Sequence, residues 1–158
     1  MAIVDIQKLS FDLKVATTGQ GGQFDRFEYG YLGEINAMRG LSNTDFIMLL
    51  LPPSSVMPEP YKNLEEITCV FHCYTKAPAG TTNANQGLEN THDALKEKCL
   101  RTLANLCIDE EHKYVINSGI TFERTSREFN QEYIGLIATV TINCFTTCMP
   151  YSFFTNIQ

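Results

Sequence analysis

From Glu132 to Cys148 the chain reads EYIGLIATVTINCFTTC, a stretch that alternates more strictly than any other part of it. Ile134, Leu136, Ala138, Val140, Ile142 and Cys144 fall at every second position. Tyr133, Gly135, Ile137, Thr139, Thr141, Asn143 and Phe145 fall between them. A period of two belongs to a strand, whose successive side chains point to opposite faces. Val, Ile and Thr at this density favour a pleated surface. The stretch therefore predicts a central or long strand, with one face on a core and a Thr-rich face elsewhere. It specifies architecture and carries no catalytic pattern.

Two more stretches read as strands. Phe46–Leu51 is a short, continuous apolar run closed by Pro52-Pro53, as suits a fully buried strand. Glu65–Lys76 alternates, with Ile67, Cys69, Phe71 and Cys73 on one face and Thr68, Val70, His72 and Tyr74 on the other. Tyr114–Glu123 is expected as a further strand, and Arg124–Gln131 as a charged bend into the last one. Phe24–Tyr31 is aromatic-rich and predicts a short strand or extended segment. Residues 32–43 leave room for a single helical turn. Ser54–Lys62 holds Pro58 and Pro60 and reads as loop, as does the polar stretch Ala77–Gln86.

Helical spacing appears twice. Residues 3–15 place Ile3, Ile6, Leu9 or Phe11, and Leu13 at near-helical intervals, ending at the glycines of Thr17–Gln23. Gly87–Ile108 predicts the long helix, with Leu88, Leu95, Cys99, Leu103, Leu106 and Cys107 as its apolar stripe. Asp93 lies early in it and Lys96, Lys98 and Arg101 follow, the order the helix dipole favours. The fold class is thus α+β: a mainly antiparallel sheet, one long helix (about 87–108) and a short N-terminal helix packed on one face. A length of 158 residues with 44% hydrophobic composition suits one domain, 1–158, ending in an apolar tail, 150–158.

Charge narrows the function. The formal net charge is −6. A generic nucleic-acid binder needs a basic face to displace counterions, so that class is disfavoured. The opening MAIVDIQKLSFDLK mixes charges with apolar residues, unlike a signal peptide, and no apolar run approaches the ~18 residues of a membrane span.

The six cysteines are Cys69, Cys73, Cys99, Cys107, Cys144 and Cys148. In a reducing cytosol they are expected to be thiols. Cys69-x2-His72-Cys73 and Cys144-x3-Cys148 offer five candidate metal ligands, but zinc sites place such residues on turns, and these lie in alternating strands. Cysteine as a small apolar core residue is the plainer reading. A Cys/His nucleophile would need His72, His92 or His112 beside a cysteine. His92 and His112 are expected to face solvent near the helix ends. The glycines of Gly19-Gln20-Gly21-Gly22 lack the Lys and the strand-to-helix setting of a phosphate loop. Asp109, Glu110 and Glu111 read as a solvated acidic loop. No catalytic residue, metal ligand or cofactor is assigned.

Phe27-Glu28-Tyr29-Gly30, then Glu34-Ile35-Asn36, then the apolar run ending in Leu51-Pro52-Pro53, resemble the opening of a phage protein family. These are the small tail-completion or neck proteins of tailed phages infecting Bacteroidetes, including crAss-like phages. The helix that follows, a Glu123-Arg124 turn, Asn130 and the long last strand extend the resemblance over roughly Phe24 to Thr147. The cysteine count and the aromatic C-terminal tail depart from it. The resemblance implies a virion structural protein of the tail-terminator or head–tail connector kind. Such a subunit is made in the host cytoplasm and sits at the neck or tail. It forms a homo-oligomeric ring, meets other neck or tail proteins, and surrounds packaged DNA without sequence specificity. No membrane partner is implied, and the family carries no catalytic residues to transfer. The competing reading is a small cytosolic enzyme or ligand-binding module with a Cys/His or zinc centre.

The candidate subunit-interface residues are Phe27, Tyr29, Tyr31, Phe153 and Phe154. The first three are aromatic in a segment poorly patterned for its own core. The last two sit in a tail, PYSFFTNIQ, with no amphipathic element to hold them. Burying both at a neighbour's groove would contribute roughly 3–6 kcal/mol. Folding back on the chain's own sheet is the other expectation for that tail.

Overall fold

The long alternating stretch is strand β7, Tyr133–Phe145, and its neighbour is β4, Leu64–Lys76. The two pair antiparallel over their full length, from Leu64 opposite Phe145 to Lys76 opposite Tyr133. The computed structural model describes residues 6–30, 46–58, 64–76, 86–108, 114–128 and 133–145. Around the central pair lie α1 (Ile6–Thr18), β1 (Arg26–Tyr29), β2 (Phe46–Leu50), β3 (Ser54–Val56), α2 (Gln86–Cys107), β5 (Tyr114–Val115) and β6 (Thr121–Glu128). The architecture of the described residues is α+β: seven strands in one sheet and two helices. Strand order is β1-β2-β4-β7-β5, with β3 on β4 beside β2 and β6 on β7 beside β5. β1 and β2 form a parallel pair, and the other pairs are antiparallel.

Register assigns the faces. Phe71 lies opposite Leu50 on β2 and Ala138 on β7, and Cys73 lies opposite Met48 and Leu136. These residues share one buried cluster with Leu9 and Leu13 of α1 and Leu95, Cys99, Leu103 and Leu106 of α2. The alternation of β4 and β7 thus places one apolar row of each strand against the helical residues. Lys98 fastens α2 further, donating to the Gln23 carbonyl at 3.1 Å and lying 4.4 Å over the Phe46 ring.

The second face is not uniformly wet. Ile47, Leu49, His72, Tyr74 and Tyr133 are buried on it, whereas Thr139, Thr141 and Asn143 are half-buried. A 2.8 Å hydrogen bond joins His72 Nδ1 to the Tyr74 hydroxyl. Gly135 faces Tyr74 in register, and its missing side chain is what admits the ring.

Several expectations need correction. The N-terminal helix does not stop near residue 15 but runs to Thr18. The Thr17 and Thr18 hydroxyls donate to the carbonyls of Leu13 and Lys14, four residues back, which satisfies them within a helix. The chain turns at Gly21, whose φ of 78° suits glycine. Ser54–Lys62 is not all loop, because Ser54–Val56 is β3. Between β2 and β3, Leu51, Pro52 and Pro53 oppose only Cys69 and Val70 of β4. This bulge absorbs one extra residue at two prolines that have no N–H for the ladder.

Tyr114–Glu123 is not one strand. It breaks between Val115 and Thr121, around Ser118-Gly119, and pairing then resumes. Arg124 is neither bend nor turn. It lies within β6, opposite Leu136, and the register slips only between Thr125 and Glu128. The expected helical turn in 32–43 and the loop through most of 77–86 fall outside the described residues.

Candidate functional site

Strand geometry separates the residues that could have formed a metal or nucleophile centre. Cys69 and Cys73 point into the buried cluster, while His72 points to the opposite face and bonds Tyr74. Cys144 joins the buried cluster, and Cys148 lies outside the described residues. Among the described residues, no three His, Cys, Asp or Glu groups converge as ligands would. His92 corrects the solvent-facing expectation. It is buried on α2, and its Nε2–H donates to the Thr125 carbonyl at 3.0 Å, pinning α2 to β6. His112 and the acidic run Asp109–Glu111 lie outside the described residues.

Burial sets the chemistry of the thiols. Desolvation, with the Cys144 thiol nearby, raises Cys69 from 9.0 to about 12. Desolvation, with Glu65 adjacent, raises Cys144 to about 11. A hydrogen bond to Cys99 and burial raise Cys73 well above the usual value. Thiolate is the reactive form, so these sulfurs are inert in the fold. The unfolded chain ionises first, so stability supplied by protonated Cys69 and Cys144 is complete below about pH 9.0 and declines toward pH 12. Urea unfolding at pH 7.5 and 10.5 should therefore show a lower midpoint at the higher pH. The drop should be smaller in Cys69→Ala; an equal drop in both chains would remove Cys69 as its source.

The five interface candidates separate as well. Phe27 is half-buried and packs against the cluster, because its register with Met48 on β2 turns it inward. Tyr29, at the end of β1, keeps 47% of its surface exposed. Tyr31, Phe153 and Phe154 lie outside the described residues.

Exposed apolar residues also occur where none had been assigned to an interface. Leu9 and Leu13, four apart on α1, are buried. Phe11 and Val15, also four apart, form a second stripe at 61% and 52% exposure. Ile108, just past α2, is 72% exposed. Between α1, the last turns of α2 and β5 lies a cleft of about 180 Å³, lined by Asp12, Val15, Ala16, Asn105, Leu106 and Tyr114. On its wall Asp12 accepts the Tyr114 hydroxyl at 2.6 Å and the Lys8 ammonium at 2.5 Å. The sequence held one signal for the outer stripe. Leu9 and Phe11, two residues apart, are about 200° apart on a helix, so only one of them can share the face of Leu13.

The sheet edges offer less for association. β1 has four residues, while β6 carries Glu123 and Arg124 and an irregular register. Short length, charge and bulges are the devices that discourage edge-to-edge pairing. No helix among the described residues is long and apolar enough to cross a membrane. In comparison with known proteins, the chain matches no family model and no curated protein.

Proposed function

We propose that this protein is a structural subunit of a homo-oligomeric ring at the neck or tail of a phage virion, of the tail-terminator or head–tail connector kind. The long helix about 87–108 and the short N-terminal helix, on one face of a mainly antiparallel sheet, form its contact layer. The observation that carries the reading is the exposed apolar pair Phe11 and Val15, one turn apart on α1, with Ile108 also exposed past the end of α2. Clustered exposed apolar side chains mark interaction surfaces, whereas scattered ones do not. Tyr29 at the end of β1 adds a further exposed aromatic. The virion setting rests on the sequence resemblance. The opposite-face placement of His72 and the Cys69/Cys73 pair favours a structural role over a Cys/His or zinc centre.

Native mass spectrometry and sedimentation velocity test the reading. The wild-type chain should give one closed multimer, and Phe11→Ser should lower its stability toward dilution at least tenfold while leaving the subunit folded. A wild-type chain that remains monomeric at hundreds of micromolar would end it.

A further inference from the structure

We infer that the cleft between α1 and α2 seats the C-terminal aromatic segment, Tyr151–Phe154, of a second copy of this chain. The inference rests on the oligomeric reading above and names the contact that would build the oligomer.

Three observations lead to it. First, β7 ends at Phe145, and its penultimate residue, Cys144, pairs with Tyr114 on β5. Tyr114 is also a wall of the cleft. The chain therefore leaves the sheet beside the cleft, with residues 146–158 still to place. The eight residue-to-residue steps from Phe145 to Phe153 span up to roughly 26 Å when extended, enough to reach an adjacent subunit.

Second, the two surfaces suit each other. Residues 150–158 carry no Asp, Glu, Lys or Arg but hold Tyr151, Phe153, Phe154 and Ile157. The cleft offers Val15 and Ala16 at its rim, with Leu106 and Tyr114 buried beneath them. Its one carboxylate, Asp12, is engaged by Lys8 and Tyr114, so an uncharged aromatic segment meets no unpaired charge there. Aromatic rings bury a large apolar area against aliphatic side chains such as Val15.

Third, no described residue covers the surroundings. Val15 on the wall and Phe11 beside it remain more than half exposed. A segment donated by another copy supplies the cover. A head-to-tail donation of this kind closes into a ring when its rotation closes.

The experiment places a photo-crosslinking benzoylphenylalanine at Phe153 in the full-length protein. Equal amounts of isotopically heavy and light chains are refolded together and irradiated, and the linked peptides are read by mass. The expected products join position 153 to residues 11–16, 105–108 or 114, with heavy–light pairs forming about half of them. Val15→Glu should abolish these links and shift the native mass toward the monomer. Links within one chain only, links to another surface, or no links overturn the inference. If a multimer persists in those cases, the structural reading stands without this contact; if the native mass is monomeric as well, both fall.

Discussion

Val140→Asp should leave no cooperatively folded protein. Val140 is 1% exposed, lies opposite Cys69 on β4, and faces the cluster that holds Leu95, Cys99 and Leu103 of α2. An unpaired carboxylate there costs several kcal/mol or forces the cluster open. A domain of this size has only about 5–15 kcal/mol to lose. One residue away, Thr139 is half-buried on the other face, between Val70 and Thr121. Thr139→Asp should keep the fold at a loss of about 1–2 kcal/mol. The chain has no Trp, so urea titrations would be followed by far-ultraviolet circular dichroism and Tyr fluorescence. Equal loss in both variants would show that the two faces of β7 are sealed alike at this level.

Gly135→Ala should destabilise, against the usual sign for a glycine within a strand. Glycine there normally costs 0.5–1 kcal/mol relative to alanine, about what its replacement would recover. At Gly135, however, an added Cβ would lie 2.5 Å from Thr125 Oγ1 and 2.6 Å from Tyr74 Cε1. Tyr74 is fully buried and hydrogen-bonded to His72, so its ring has nowhere to swing. Overpacking of this kind costs about 1–3 kcal/mol, and the upper end is expected. Tyr74→Leu in the same chain should lessen the penalty of the added methyl, giving a coupling above about 0.5 kcal/mol in a double-mutant cycle. A neutral or stabilising Gly135→Ala would show that the ring does not occupy this position.

What the sequence made legible was whatever periodicity could carry. β7 and β4 announced themselves because each has an apolar row at period two, from Ile134 to Cys144 in β7 and from Ile67 to Cys73 in β4. β2 was legible as an apolar run because both of its faces are buried. β3 and the far half of β6 were not, because Ser-Ser-Val and Arg-Thr-Ser-Arg-Glu have no apolar row to show. Their pairing comes from the neighbouring strand. The bulge at Pro52-Pro53 hid β3 further by shifting which positions face inward. Parallel pairing of β1 with β2 depends on a crossover, which no local pattern encodes. In the candidate interface, Tyr29 was readable as an aromatic outside any pattern. Phe11 and Val15 were missed because they mimic a core stripe until Leu9 and Leu13 are known to fill it. His92 escaped because one hydrogen bond to a backbone carbonyl is enough to bury it.

Held on both edges, β7 also has a mechanical character. β4 grips it along its whole length, and β5 and β6 grip most of the opposite edge. Ladder hydrogen bonds lie across the strand axis. Tension applied to the chain beyond Phe145 runs along that axis, so the bonds are sheared together rather than peeled one after another. The strand that hands the chain on toward its C-terminus is thus the one best built to bear a sustained pull. A pull delivered through that end would meet the whole ladder at once.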